Sequence, residues 1–183
     1  SEGALVKFDI ENFEKEIEAF TTRVDTIFGV TFITLAPEHP FVSKITSKEN
    51  KSKVDDYILE SSKKTERDRI SDVKTISGVF TGGYAIHPLT KKKLPIWISD
   101  YVLASYGTGA VMAVPCGDQR DYNFAKFFKI PIINIFKNID IFNEAYHSKE
   151  NFELINSKFL DGMNFSEATS KAIKELIKVD KGV

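Results

Sequence analysis

Two stretches of this chain carry more hydroxyl, carboxylate and guanidinium groups than a strand end or a turn requires. One is Thr21-Thr22-Arg23-Val24-Asp25-Thr26. The other runs from Gly107 to Asp121 and closes on Asp118-Gln119-Arg120-Asp121. Threonine hydroxyls beside a carboxylate serve as turn and cap chemistry, because they bond nearby backbone groups. The same groups can hold a small polar substrate or a developing oxyanion. Asp118, Arg120 and Asp121 have two readings as well, a helix cap with a surface ion pair or a part in catalysis. Residue types alone leave both pairs of readings open.

Other chemistries fit less well. Gly107-Thr108-Gly109 does not extend into a dinucleotide loop, since Met112 stands where the third glycine belongs. None of His39, His87 and His147 sits beside a nucleophile elbow, and His87, before Pro88 at a strand end, reads as structural. The single cysteine, Cys116, allows neither an intrachain disulfide nor a cysteine-based zinc site, and the histidines lack a ligand spacing.

The elements that must position these groups are short. Alternation over Leu5–Ile10 predicts a strand, and Ile17–Thr22 a second one. Val30–Leu35 reads as a buried strand. Val79–His87 and Leu94–Ile98, joined by Pro88–Lys93, read as a hairpin. Tyr101–Leu103, Ala110–Val114 and Ile130–Phe136 supply further strands. Asp118 is placed to cap a helix containing Tyr122, Phe124, Ala125 and Phe128. A last helix after Ser166 puts Ala168, Ala172, Ile173, Leu176 and Ile177 on one face. Residues 47–75 are charged, with Val54, Tyr57, Ile58 and Ile70 as apolar anchors, and read as a solvated, helix-rich surface insertion. Many short strands with few helices predict an α+β fold with a β-barrel-like core and peripheral helices.

The ordered motifs resemble a known family. Phe20-Thr21-Thr22-Arg23-Val24-Asp25-Thr26-Ile27-Phe28-Gly29-Val30-Thr31 and Leu35-Ala36-Pro37-Glu38-His39-Pro40 are similar to the start of the inserted editing domain (connective peptide 1) of leucyl-tRNA synthetase. The likeness continues through Gly78–Thr90, Pro95–Ile98, Tyr106–Pro115 and Asp118–Asp121, and is weakest over 47–75 and 137–160. The related isoleucyl and valyl domains carry Pro-Trp-Thr where this chain has Val24-Asp25-Thr26, so the pattern favours the leucyl enzyme of bacterial or organellar type. Two positions depart from the family: Val24 stands where proline is usual, and Gly117 where histidine often precedes the aspartate.

The resemblance implies a single class Ia editing domain over 1–183, excised from a larger synthetase, with Ser1-Glu2-Gly3-Ala4 at its junction with the enzyme body. The implied reaction is ester hydrolysis of tRNA(Leu) mischarged with norvaline, isoleucine or methionine, without cofactor or metal. Thr21 and Thr22 would hold the attacking water and substrate oxygens, and Asp121 the α-ammonium. Arg23, Thr26, Tyr106, Met112, Val114, Asp118 and Arg120 would bind the substrate, with Thr26 blocking leucine and Arg23 meeting the terminal phosphate or bracing the pocket. A non-catalytic module for the tRNA acceptor end and an isoleucyl- or valyl-type editing domain are the alternatives.

Composition constrains the partners. The 183 residues include 25 Lys+Arg and 26 Asp+Glu, a net charge of -1, which excludes a strongly basic arm. The expected partners are the tRNA 3′ end and the remaining synthetase chain, for a monomer that binds tRNA weakly without that body. The resemblance to the bacterial or organellar enzyme implies a cytoplasmic or organellar location, and no apolar run approaches the roughly 20 residues a bilayer span needs.

Overall fold

The computed structural model describes residues 3–183. Of the expected junction Ser1-Glu2-Gly3-Ala4, Ser1 and Glu2 lie outside them. In chain order come β1 (Ala4–Ile10), β2 (Phe13–Thr21), a 3-10 turn (Val24–Gly29), β3 (Phe32–Leu35), α1 (Val42–Ile45), a second 3-10 turn (Lys48–Asn50), α2 (Lys51–Ser62) and α3 (Glu66–Ser71). β4 (Val79–Ile86), β5 (Lys93–Ile98), β6 (Ala110–Ala113), α4 (Gln119–Phe128), a third 3-10 turn (Lys158–Leu160) and α5 (Phe165–Lys178) follow. The fold is α+β, with a nearly closed, barrel-like sheet in the order β2-β1-β4-β5-β3-β6.

The chain forms two compact units. The sheet unit comprises Lys7–Phe20 and Phe32–Met112, and the second unit comprises the stretch ending at Val6, Thr21–Thr31 and Ala113–Val183. In the sheet unit, Phe8, Phe32, Ile33, Leu35, Ile96 and Ile98 are fully buried. β3 is buried at every position, and its parallel pairing with β5 (Ile33 opposite Ile96, Leu35 opposite Ile98) explains its unbroken apolar run. A parallel pair needs a crossover, and α1–α3 with β4 supply it. β4 and β5 form the expected antiparallel hairpin, irregular between Phe80 and Tyr84. There Gly82 adopts φ +85, and a Cβ on it would collide with the Ser47 side chain.

Three expected strands change. The second starts at Phe13, not Ile17, because Asn12, at φ 64, makes a tighter turn than the polar spacing suggested. Tyr101–Leu103 is a turn. Val102 donates to Ser99 O at 3.3 Å, and Arg69 takes the Asp100 and Val102 carbonyls, so these backbone groups are unavailable to a ladder. Ile130–Phe136 is irregular apart from one bridge, Phe136 to Leu154. Pro131 lacks an N–H, and Asn134 spends its side chain on Ile139 O and Phe136 N. The apolar pattern there reflects burial of Ile130, Ile135 and Phe136.

In the second unit α5 begins at Phe165, capped by a reciprocal Asn164–Glu167 box. Its buried face is Ala168, Ala172 and Leu176; the expected Ile177 is exposed instead. In the charged stretch 47–75, Val54 is buried but Ile70 is exposed, and the buried member of α3 is Arg69. His87 is structural as expected, its Nδ1 accepting the Leu89 and Thr90 N–H groups at 3.1 and 3.2 Å.

Candidate active site

Thr21 ends β2 and turns the chain. Its Oγ1 accepts the Arg23 N–H at 2.9 Å, which leaves the hydroxyl hydrogen for another acceptor. Thr22 is half-buried, and its hydroxyl has no hydrogen-bond partner among the described residues. Both hydroxyls can therefore donate to a bound oxygen.

A brace beneath them holds this geometry. Arg23 Nε donates to Asp25 Oδ1 and a terminal nitrogen to Asp25 Oδ2, each at 3.0 Å. The other terminal nitrogen donates to His147 O at 3.1 Å, and the guanidinium lies 5.4 Å from the Phe165 ring centroid. Asp25 is fully buried. A planar fork on a buried carboxylate is the pairing that arginine makes and lysine does not. These contacts tie the Arg23 side chain to Asp25 and His147 O. Thr26 is buried, and its Oγ1 donates to Arg23 O at 2.7 Å. The hydroxyl fixes the turn, so its methyl is the part left to shape a wall.

The second stretch packs beside Gly29–Thr31, just after the first stretch, within the same unit. Thr31 donates to Ala113 O at 3.1 Å. A Cβ on Gly29 would lie 3.1 Å from Val114 Cγ1 and 3.3 Å from Cys116 Sγ, so the glycine permits close approach. Gly117 and Asp118 both donate to Val114 O at 3.0 Å. Asp118 caps α4 as expected, accepting the Asp121 N–H at 3.0 Å. Arg120, half-buried, occupies the first turn of α4.

Asp121 is buried, and its Oδ2 accepts the Val114 N–H at 2.9 Å. The strand end leaves that N–H buried, and the carboxylate satisfies it. Losing Asp121 must therefore disturb the fold as well as any chemistry. Cys116, fully buried here, has its thiol pushed up to about 11, chiefly by burial, with the Arg23 charge opposing.

Thr21, Thr22, Arg23, Thr26, Val114, Asp118, Arg120 and Asp121 all belong to the second unit. Tyr106, exposed, and Met112, buried on β6, belong to the sheet unit. Sequence reasoning assigned no role to Asp25, His147 or Phe165. Asp25 lay inside the motif, where the spacing Arg-x-Asp was the available signal. His147 and Phe165 are more than 100 positions away and carried none.

The family model described as leucyl-tRNA synthetase, editing domain matches residues 1–177. This chain belongs to the leucyl-tRNA synthetase editing-domain family. It is 59% identical to the leucine–tRNA ligase of Flavobacterium johnsoniae over 187 residues, covering all of this chain and 20% of that protein. It is also 59% identical to the enzyme of Christiangramia forsetii over 182 residues, covering all of this chain and 19% of that protein. The chain thus spans about a fifth of the length of these relatives. Among solved structures, the Agrobacterium radiobacter K84 agnB2 LeuRS–tRNA–LeuAMS complex matches with a TM-score of 0.76 at 32% identity, over all of this chain and 19% of that one. The GlLeuRS-CP1 structure matches in fold, with a TM-score of 0.61 at 11% identity, over all of this chain and 98% of that one. The leucyl-tRNA synthetase editing-domain family is therefore represented here along the whole chain. The departures are mild in this fold. Gly117 has no positive φ, and a Cβ there would make ordinary contacts of 3.5 Å or more. Val24 opens a 3-10 turn, where proline's missing N–H would be tolerated.

Proposed function

We propose that this domain hydrolyses the ester linking a noncognate amino acid to the 3′-terminal adenosine of tRNA(Leu), and spares the leucyl ester. The observation that carries the reading is the pair of half-buried hydroxyls, Thr21 and Thr22, beside the Arg23–Asp25 ion pair, with Thr21 Oγ1 accepting the Arg23 N–H. Discrimination by binding alone yields only about 1–3 kcal/mol per methylene, so a second hydrolytic site is a physical need.

In this reading Thr21 and Thr22 donate to the carbonyl or ribose oxygens and orient the attacking water. Asp121 meets the α-ammonium, a charge-assisted contact of roughly 1.5–3 kcal/mol. Thr26 and Val114 shape the wall that excludes leucine. Asp118 and Arg120 support the start of α4. Tyr106 and Met112 are assigned to the substrate on the family resemblance alone. No cofactor or metal takes part; an aminoacyl ester is already activated, and the neighbouring ribose hydroxyl assists the water. The expected substrates are norvalyl-, isoleucyl- and methionyl-tRNA(Leu), and the expected partner in cis is the rest of the synthetase.

The test is deacylation by the full-length enzyme carrying this domain, with norvaline-charged and leucine-charged tRNA(Leu) in parallel. Rapid loss of the first and persistence of the second supports the reading. Binding without hydrolysis would make the domain an acceptor-end module only, and equal loss of both would remove the proposed selectivity.

A further inference from the structure

The charged stretch 47–75 holds one side chain that a solvated face does not explain. Arg69 on α3 is 6% exposed and makes four hydrogen bonds. Nε donates to Asp100 O at 2.9 Å, one terminal nitrogen to Val102 O at 2.8 Å, and the same nitrogen to Glu38 Oε1 at 3.4 Å. The other terminal nitrogen donates to Glu38 Oε2 at 2.7 Å.

The neighbouring contacts converge on one loop. Lys64 Nζ meets Asp100 Oδ2 at 3.0 Å, Asp100 N donates to Tyr57 Oη at 2.9 Å, and Ser105 Oγ donates to Glu66 Oε1 at 2.6 Å. Helices α2 and α3 therefore grip the loop after β5 at positions 100, 102 and 105. That loop runs directly into Tyr106-Gly107-Thr108-Gly109. Two turns shape its crown, Tyr106 N to Leu103 O and Gly109 N to Tyr106 O, each 3.2 Å. Its far end is fixed by Ala36 N, which donates to Gly109 O at 2.9 Å. Ala36 lies two residues before Glu38, so both ends of the loop are tied to one segment. Gly107 and Gly109 have φ +59 and +74, the left-handed backbone that glycine adopts without a Cβ clash. At its top Tyr106 is 77% exposed.

We propose that Arg69 is a positioning residue: through the Asp100 and Val102 carbonyls it holds the 100–109 loop in the one conformation in which Tyr106 meets the RNA 3′ end. The inference rests on the hydrolytic reading above. Arg69 touches no reacting atom in it. It lowers the entropy lost when the loop orders on the substrate, so its removal acts on substrate capture rather than on the chemical step. Lysine is a poor replacement, because one ammonium cannot span two carbonyls and a carboxylate in a plane.

The experiment uses the full-length enzyme, norvaline-charged tRNA(Leu), and the variants Arg69→Ala, Arg69→Lys, Tyr106→Ala and the double variant Arg69→Ala/Tyr106→Ala. Glu38→Gln serves as a milder perturbation if Arg69→Ala fails to fold. KM for deacylation is expected to rise about tenfold in Arg69→Ala with kcat within about twofold. Arg69→Lys should restore less than half of that effect. In the Tyr106→Ala background the Arg69 substitution should add little. Amide exchange at Tyr106 and Gly109 should quicken in Arg69→Ala. An unchanged KM, a loss confined to kcat and melting temperature, or full additivity with Tyr106→Ala would overturn the proposal. Failure of the wild type to hydrolyse norvalyl-tRNA would sink the hydrolytic reading instead. Amide exchange would still show whether Arg69 holds the loop, and unchanged exchange would overturn that too.

Discussion

Arg23→Ala separates a brace from a phosphate contact. The substitution removes both bonds to a carboxylate that has no solvent of its own, since the Asp25 side chain is 0% exposed against 17% for Arg23. Stranding one partner of a buried pair costs about 3–5 kcal/mol, because the remaining charge has lost its compensation. The bond to His147 O and the contact with Phe165 disappear as well. At about 2–4 °C per kcal/mol for a domain of this size, the melting temperature should fall by roughly 6–20 °C. The burial asymmetry sets the order of the variants. Asp25→Asn keeps the shape and one acceptor and leaves a guanidinium that can rehydrate, so it should cost less than Arg23→Ala. Arg23→Lys should recover less than half of the loss. The assay is thermal and urea unfolding of the two single variants Arg23→Ala and Asp25→Ala and their double variant, read as a cycle, with tRNA affinity measured in parallel. A coupling energy below about 0.5 kcal/mol, with tRNA affinity lost at unchanged stability, would refute the brace and make Arg23 a phosphate ligand.

Thr22→Val should leave the unfolding curve within about 0.5 kcal/mol of wild type, since its hydroxyl has no partner among the described residues, while deacylation of norvalyl-tRNA slows by about tenfold or more. Asp121→Asn keeps an acceptor for Val114 N and should stay near wild-type stability with editing lost. Asp121→Ala should lose editing and also about 1–3 kcal/mol, from the N–H it orphans; equal melting curves for the two would contradict this. Thr26→Ala should open the site to leucyl-tRNA and soften the turn by about 1 kcal/mol, through loss of the bond to Arg23 O; leucyl-tRNA as stable as with wild type would remove its gating role. Cys116, with its thiol pushed up to about 11, is only about one part in a thousand thiolate at pH 8. Alkylation by iodoacetamide at that pH should therefore await unfolding, and prompt labelling of the native protein would show the thiol to be accessible.

Local periodicity determined much of this protein. The alternation in β1, the hairpin of β4 and β5, the Asp118 cap and the amphipathic α5 all follow from interactions within a few residues, which spacing records. The two chemical stretches were legible for the same reason: their residue types are dense and contiguous. Tertiary structure decided what long-range partners alone can decide. Tyr101–Leu103 has strand composition but is a turn, because a guanidinium 31 to 33 positions earlier takes its carbonyls. Ile130–Phe136 is apolar because it is buried, and among the described residues its strand pairing is limited to the Phe136–Leu154 bridge. Asp121 carries the charge of a surface helix start and yet lies inside, where the Val114 N–H needed an acceptor. Arg69 sits in the most polar stretch of the chain and is among its most buried charges. A charged side chain looks the same in sequence whether water or a carboxylate compensates it; only the fold brings Glu38 and two carbonyls within reach of one guanidinium.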